Sequence, residues 1–502
     1  MCLALGLNAP NARAFSLLGP FEPWMTTTNG FSPSDGGDIG GPMCISNGFR
    51  WNVPVVTYAF DPSFVNYFGT NGVAAVEDAI QILNDLPPAS QIVPANYPPE
   101  SLHINYEAQS LSLYDLKSET LSLLLEQMGL AQPTRYIYVL RQWNPVLTNN
   151  SEAYDYGSML EEVFDGTNLL QNYVVPRNYD PQTLNASPYV NNSLYSGYVV
   201  TYPNDTFIES FSVDPLADSY SAVADNNLGA GIFYNGLTRD DVGGLAYLLS
   251  TNNINYEMLL PGVYGVRTNA NLFVNGAWRP GVDKITFVPQ PMDPMTCAFL
   301  PMTNQFTDTY ITNGNTIQQQ LARVTSQPDF LFSVADTGED NFYTPWFVRT
   351  GTTNWINNAA LNGNPTGAGP GIVQPPVRII FNKLGQQFNS GSYSDIVADD
   401  YPQFWGSYDA STNPPVFYPV PPQSGTNQMT LRMWLLMGQY PWTTTSFEWK
   451  PTSAWGAQFL FQTSTDLTDW VTLFTNSNDG TITTYVVGNP PSPTRFYRLV
   501  PQ

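Results

Sequence analysis

Carboxylates are the residues of this chain with the clearest capacity for chemistry. There are 41 aspartates and glutamates against 18 lysines and arginines, a formal net charge of −23. Two carboxylates flanking a glycosidic bond suffice to hydrolyse it, and three pairs stand out: Glu161–Glu162, Asp240–Asp241 and Asp399–Asp400. Neighbouring side chains diverge on any regular element, so each pair reads as solvated surface or a helix cap. A hydrolase using paired carboxylates is the least favoured reading. Asp35 and Asp38 sit among glycines and could offer calcium a flexible oxygen cage, although a hydrated glycine turn is the plainer reading. The single histidine, His103, lies in a predicted strand with no second imidazole to share a metal, and no G-x-S-x-G surrounds any serine. The cysteines are Cys2, Cys44 and Cys297. Loss of Cys2 on export would leave an even pair, and a Cys44–Cys297 disulfide is expected on that count.

The stretch Leu121 to Pro133 must either carry a reaction or reveal that none is carried. Leu121, Leu124, Leu125 and Met128 fall at helical spacing, Gly129 suits the left-handed residue that ends a helix, and Pro133 blocks a restart. The tail Gly-Leu-Ala-Gln-Pro resembles the end of the zinc-binding helix of metzincin peptidases, H-E-x-x-H-x-x-G-x-x-H. With the motif glycine on Gly129, the resemblance puts the three ligand positions at Ser122, Glu126 and Gln132, and the catalytic glutamate at Leu123. No histidine remains to bind zinc and the general base has become an aliphatic. Two further segments resemble the matrixin branch of that family. A strand at Trp51–Phe60 precedes a predicted helix from about Gly72 to Leu86, with Asn71 as its cap. Leu237–Leu249 is similar to the closing helix, with Thr238 and Asp241 as a capping pair. The resemblance implies a degenerate, metal-free peptidase-like domain.

These elements organise the chain. Residues 1–14 resemble the end of a signal peptide, with Ala12-Arg13-Ala14 before Phe15. Residues 15–50 read as an extended arm whose Phe15, Leu18, Phe21, Trp24 and Met25 have no local core, so the arm is expected to lie on its own surface or on a neighbouring copy. Residues 51–260 form the α+β, metzincin-like domain, and 261–425 a mainly β domain. There, Asn275–Gly276 and Asn313–Gly314 signal hairpins, Thr316–Val324 reads as a short helix, and Pro414–Gly425 is a stiff connector. Residues 426–502 resemble a C-terminal β-sandwich module of secreted bacterial proteins. Phe459 and Phe461 share one face there, and Trp470 is expected to fill its core. Asn149, Asn185, Asn191 and Asn204 begin N-x-S/T triplets, the mark of surface loops.

Charged residues make up only 12% of the chain and lysine occurs four times, so surface polarity must come from Asn, Thr, Ser, Gln and Tyr. With no basic stripe, nucleic-acid binding is excluded. No membrane span and no cofactor are expected. The composition points to a secreted, non-enzymatic structural protein that self-assembles into a filament or surface layer. Edge protection by lysine is scarce in such a chain. The alternative is a carbohydrate-binding or adhesion protein using exposed rings, with Trp405, Trp434 and Trp442 as candidates.

Overall fold

Val55–Phe60 is rich in β-branched and aromatic side chains, which suit a pleated, packed surface. The computed structural model describes residues 14–31, 38–142, 173–202, 205–213, 222–266, 273–293, 295–296, 298–335, 348–350, 355–357, 371–373, 375–382, 404–418, 446–449, 458–464, 469–477, 483–486 and 496–501. In it, Val55–Phe60 runs parallel to Thr286–Pro289 on one side and Phe330–Ala335 on the other. Val377–Asn382 follows in parallel, and antiparallel Val348–Thr350 closes the edge. Phe330, Phe332, Val377, Ile379 and Phe381 are all buried, the near-continuous apolar pattern of strands covered on both faces. A boundary after residue 260 would cut this sheet. The domains expected at 51–260 and 261–425 are therefore one unit, spanning Met1–Leu384 and Ala398–Val420.

Helix α1, Pro62–Asn84, lies against this sheet. Asp61 caps it by accepting the Phe64 N–H at 3.1 Å, and Pro62 stands in the first turn, where a missing N–H costs nothing. It begins at Pro62 rather than near Gly72, because Asp61, not Asn71, supplies the cap. Gly69 (φ 63°) kinks it, so the two halves read as one helix only with a break between. Phe64 and Phe68 meet Phe381 at 5.8 and 5.7 Å between ring centres.

The expected arm is a buried strand. Phe15–Gly19 pairs with Gly41–Met43, Leu130–Ala131 and Asn178–Tyr179, and all five of its residues are buried. Phe15, Leu18 and Met25 belong to the main core, with Phe21 and Trp24 packed against it. Trp24 meets the edge of Phe31 at 5.7 Å. The apolar run has no local home because its partners lie far along the chain.

A second sheet is antiparallel, ordered Asn255–Met258, Gly276–Arg279, Met302–Thr312, Asn315–Thr325, Val263–Gly265. Asn313 (φ 50°) and Gly314 (φ 75°) make the tight turn of its long hairpin, where left-handed angles match the strand twist. Thr316–Val324 is thus strand, not helix. Asn275–Gly276 makes no hairpin; Asn275 Oδ1 accepts the Leu259 N–H at 3.1 Å and the strand starts at Gly276. A buried ion pair lies within the sheet, with Arg279 Nε 2.9 Å from Asp308. Two others join this sheet to the rest of the unit: Arg50 Nε lies 2.6 Å from Glu257, and Arg323 lies 2.6 Å from Asp329. Asp329 in turn accepts the Thr57 N–H at 2.8 Å, on the parallel sheet.

Phe404–Ser407 lies between Leu113–Asp115 and Val416–Tyr418. The start of the expected connector, Val416–Tyr418, is therefore core strand, with Phe417 and Tyr418 buried. The second unit comprises Gly385–Val397 and Pro421–Gln502. Its described strands form a sheet of Val471–Ser477, Gln458–Ser464 and Phe496–Pro501, and a pair of Ser446–Trp449 with Thr483–Val486. Phe461 is buried against Phe474 at 5.1 Å. Trp470 is partly exposed rather than fully buried, with the Arg498 guanidinium 4.2 Å above its ring. The protein is mixed α and β with mainly β content, and among the described residues no helix is long and apolar enough to cross a membrane.

Candidate functional site

Helix α2, Tyr106–Ser110, is a single short turn, and α3 and α4 carry the positions singled out for chemistry. Helix α3 spans Leu116–Gln127. Asp115 caps it by accepting the Ser118 N–H at 2.9 Å and hydroxyl at 2.5 Å. Leu121, Leu124 and Leu125 are buried as their spacing requires, but so are the intervening residues, because α1 and the turn Val223–Asp225 pack on α3 as well. Gly129, at φ 105°, ends the helix; a Cβ there would come within 2.2 Å of the Phe49 carbonyl oxygen. The chain then enters the short strand beside Phe15–Gly19, and Leu18 N–H donates to Gly129 O at 2.9 Å. The Trp51 indole donates to Gln127 O at 2.9 Å, fixing the same corner.

The zinc-motif positions are scattered between core and surface. Ser122 is buried, and Leu123, where the catalytic glutamate would stand, is only 7% exposed and part of the main core. Glu126 is partly exposed by surface area yet ringed by protein atoms. Its carboxyl is pushed up to about 8, by burial first and then by Asp38 and Glu119, with Arg135 opposing. Gln132 is partly exposed, and its carbonyl accepts the Tyr136 N–H at 3.1 Å. Among the described residues there is no group of three His, Cys, Asp or Glu arranged to hold a metal.

Helix α4, Arg239–Leu249, is capped as its sequence indicates. Asp241 accepts the Thr238 N–H at 2.8 Å and hydroxyl at 2.5 Å. It also accepts the amides of Val223 and Ala224 at 3.1 and 3.0 Å, so one carboxylate orders two elements. Asp240 points elsewhere and accepts the Asn191 N–H at 2.6 Å. Asn191, expected on a surface loop, is buried at φ 45°, and its side-chain oxygen accepts the Asp240 N–H at 3.3 Å. Between the helices, Asp225 accepts the Thr134 amide and hydroxyl at 2.8 and 2.6 Å and the Ala222 amide at 2.8 Å. Glu119, on α3, accepts the Asn226 side-chain amide at 3.1 Å.

Burial dominates the acid–base behaviour of this group. It pushes Asp115 up to about 6, and Glu119 and Asp225 to about 7, against the opposing hydrogen bonds. Asp240 is raised well above the carboxylate range and Asp241 is raised too, although backbone amides favour their charged forms. Chemically this is an array of acids whose acceptors are directed at main-chain amides, Ser and Thr hydroxyls and the Asn226 side chain. It holds α3, α4 and the turn between them in place. Sequence reasoning finds Asp240, Asp241 and Glu126 but misses Asp115, Glu119 and Asp225. The legible signal is Asp115 three residues before Ser118, a helix-cap spacing.

The other candidates disperse. Asp38 forms a two-pronged ion pair with Arg135, at 2.5 and 3.0 Å. Asp35 lies outside the described residues, as do Glu161–Glu162, Asp399–Asp400, Trp434 and Trp442. Trp405 is fully buried at the α1 core, 6.3 Å from Phe68, and cannot stack on a ligand. His103 stands on an exposed strand, 2.7 Å from the Asn235 side-chain nitrogen and against the Phe233 ring. Cys44 is a free thiol near Ser46 Oγ, and its expected partner Cys297 lies outside the described residues. Compared with known proteins, the chain matches no family model, no curated protein and no solved structure.

Proposed function

We propose that this chain is a non-enzymatic extracellular structural protein in which a metzincin-like segment serves as scaffold. The observation that carries the reading is Leu123. An aliphatic side chain packed in the core stands at the position that the resemblance gives to a peptidase's general base, and Asp241 on α4 holds the backbone amides of Val223 and Ala224. The net charge of −23 and the scarcity of lysine support an extracellular setting.

Self-assembly is part of the proposal, but the contact is not the N-terminal segment, whose apolar residues are used up within their own unit. Strand edges supply the motive instead. The outermost strands of the antiparallel sheet, Asn255–Met258 and Val263–Gly265, carry no lysine, and Lys284 is occupied by the Asn84 carbonyl at 3.0 Å. The C-terminal unit is read as an attachment or assembly module. Sedimentation velocity of the full chain over a concentration series is the test. Association that grows with concentration is expected, and a sharp monomer at every concentration up to saturation would contradict it. Deleting residues 15 to 30 is expected to unfold the first unit rather than merely dissociate the assembly.

A further inference from the structure

The outward face of the antiparallel sheet has the makings of a ligand site distinct from the α3–α4 region. Alternation along the hairpin sends Asp308, Tyr310, Leu321 and Arg323 inward, where they are buried. The opposite set lies on the outer side: Thr303, Gln305 and Thr307 on one strand stand in register with Val324, Ala322 and Gln320 on the next. All are exposed except the small Ala322, which is covered. The Gln320 amide donates to Thr307 Oγ1 at 2.9 Å across the strands, so this row is a ladder of hydroxyls and amides. Both charged residues of the hairpin are on the buried side. In a chain of net charge −23, its outer face carries no charge at all.

An aromatic ring stands at each end of the strip. Trp278, 53% exposed, lies opposite Ile311 and is braced edge-on by Tyr256 at 5.8 Å and 87°. Tyr264, 46% exposed, lies opposite Ala322. The register puts three strand-to-strand steps and six residues along the strand between them, a diagonal of about 25 Å at ordinary strand spacings. The rings are not one coplanar platform; they bracket a polar track.

This chemistry selects among partners. An anionic polymer would need cations that the face lacks. A protein interface centres on a desolvated apolar patch, whereas here the centre is Thr and Gln and the apolar groups are at the margins. A neutral sugar polymer matches each part. Its hydroxyls both donate and accept, as do those of threonine and the amides of glutamine, and its C–H faces stack on aromatic rings. We infer that this face binds a neutral, unbranched polysaccharide laid obliquely across the strands from Trp278 to Tyr264. The inference stands apart from self-assembly, which uses strand edges.

Retention of the full-length protein on cellulose, chitin, an insoluble β-1,3-glucan and mannan, with alginate as the anionic comparison, tests it. Retention is expected on at least one neutral polymer, unchanged between low and high salt, with a hexasaccharide competing better than the disaccharide. Trp278→Ala and Tyr264→Ala should each weaken it about tenfold, equivalent to about 1.4 kcal/mol, with melting temperature preserved because both side chains are largely exposed. Failure to bind any neutral polymer, retention unaltered in the double variant, or salt-sensitive binding to alginate alone would overturn the inference. So would variants that abolish sedimentation of oligomers while leaving glycan retention intact, since the face would then meet a second copy of the chain.

Discussion

Arg50→Met is expected to destabilise the first unit by about 3–5 kcal/mol, the usual cost of breaking a buried ion pair by removing one partner. Arg50 is fully buried. Its Nε bonds Glu257 at 2.6 Å, Nη1 reaches the carbonyls of Leu248 and Asn253 at 3.0 and 2.8 Å, and Nη2 reaches that of Arg279 at 3.1 Å. One guanidinium thus ties the end of α4 and the strands Asn255–Met258 and Gly276–Arg279 to the segment before Val55–Phe60. Methionine fills similar space but satisfies none of these acceptors. Burial already raises the Glu257 carboxyl more than Arg50 lowers it, so the variant should take up a proton there and lose less stability in mild acid than in alkali. Replacing Glu257 by methionine as well should recover part of the loss. Equilibrium denaturation of the native chain and the two variants checks this, and a loss below about 1 kcal/mol in Arg50→Met would contradict it.

The second large effect is on pH. Asp115, Glu119 and Asp225 have folded-state values of about 6, 7 and 7, against ordinary values of 3.8, 4.5 and 3.8. The folded chain therefore holds more protons than the unfolded chain between about pH 4 and pH 7. Stability from these groups is fully present below their unfolded values and is lost as pH rises through the folded ones. A tenfold gain in proton affinity on folding corresponds to about 1.4 kcal/mol, and the contributions overlap because ionising one acid raises its neighbours. A fall in melting temperature on the order of 10 °C between pH 5 and pH 9 is expected. Glu119→Gln keeps an acceptor for Asn226 and removes one titration, so its profile should be flatter. A melting temperature that climbs from pH 5 to pH 9 would refute the assignment.

Local signals in the sequence translate into local structure. The Gly129 helix end, the Thr238–Asp241 cap and the Asn313–Gly314 turn each depend on residues a few positions apart. Pairing at long range is what the sequence hides. Nothing near Val55 announces that its partners are Thr286 and, through Tyr58, Phe330. For the same reason Phe15–Gly19 reads as a loose arm although its neighbours wait at Gly41, Leu130 and Asn178. Thr316–Val324 reads as helix because Ile317, Leu321 and Val324 fall at helical spacing, while the turn at Asn313–Gly314 dictates a strand. At the site, the absence of a base at Leu123 is plain from residue type alone. The anchoring acids are not, since Asp115, Glu119 and Asp225 matter only through the burial that folding imposes.

The role of α3 as scaffold rather than reaction centre is tested most directly by native mass spectrometry of the full chain after incubation with excess zinc and desalting. Ser122, Leu123, Glu126 and Gln132 offer one carboxylate and no imidazole where three ligands and a water would be needed. The mass is therefore expected to be that of the metal-free chain, identical in behaviour for Glu126→Gln. One zinc retained per chain and lost in that variant would contradict the scaffold role.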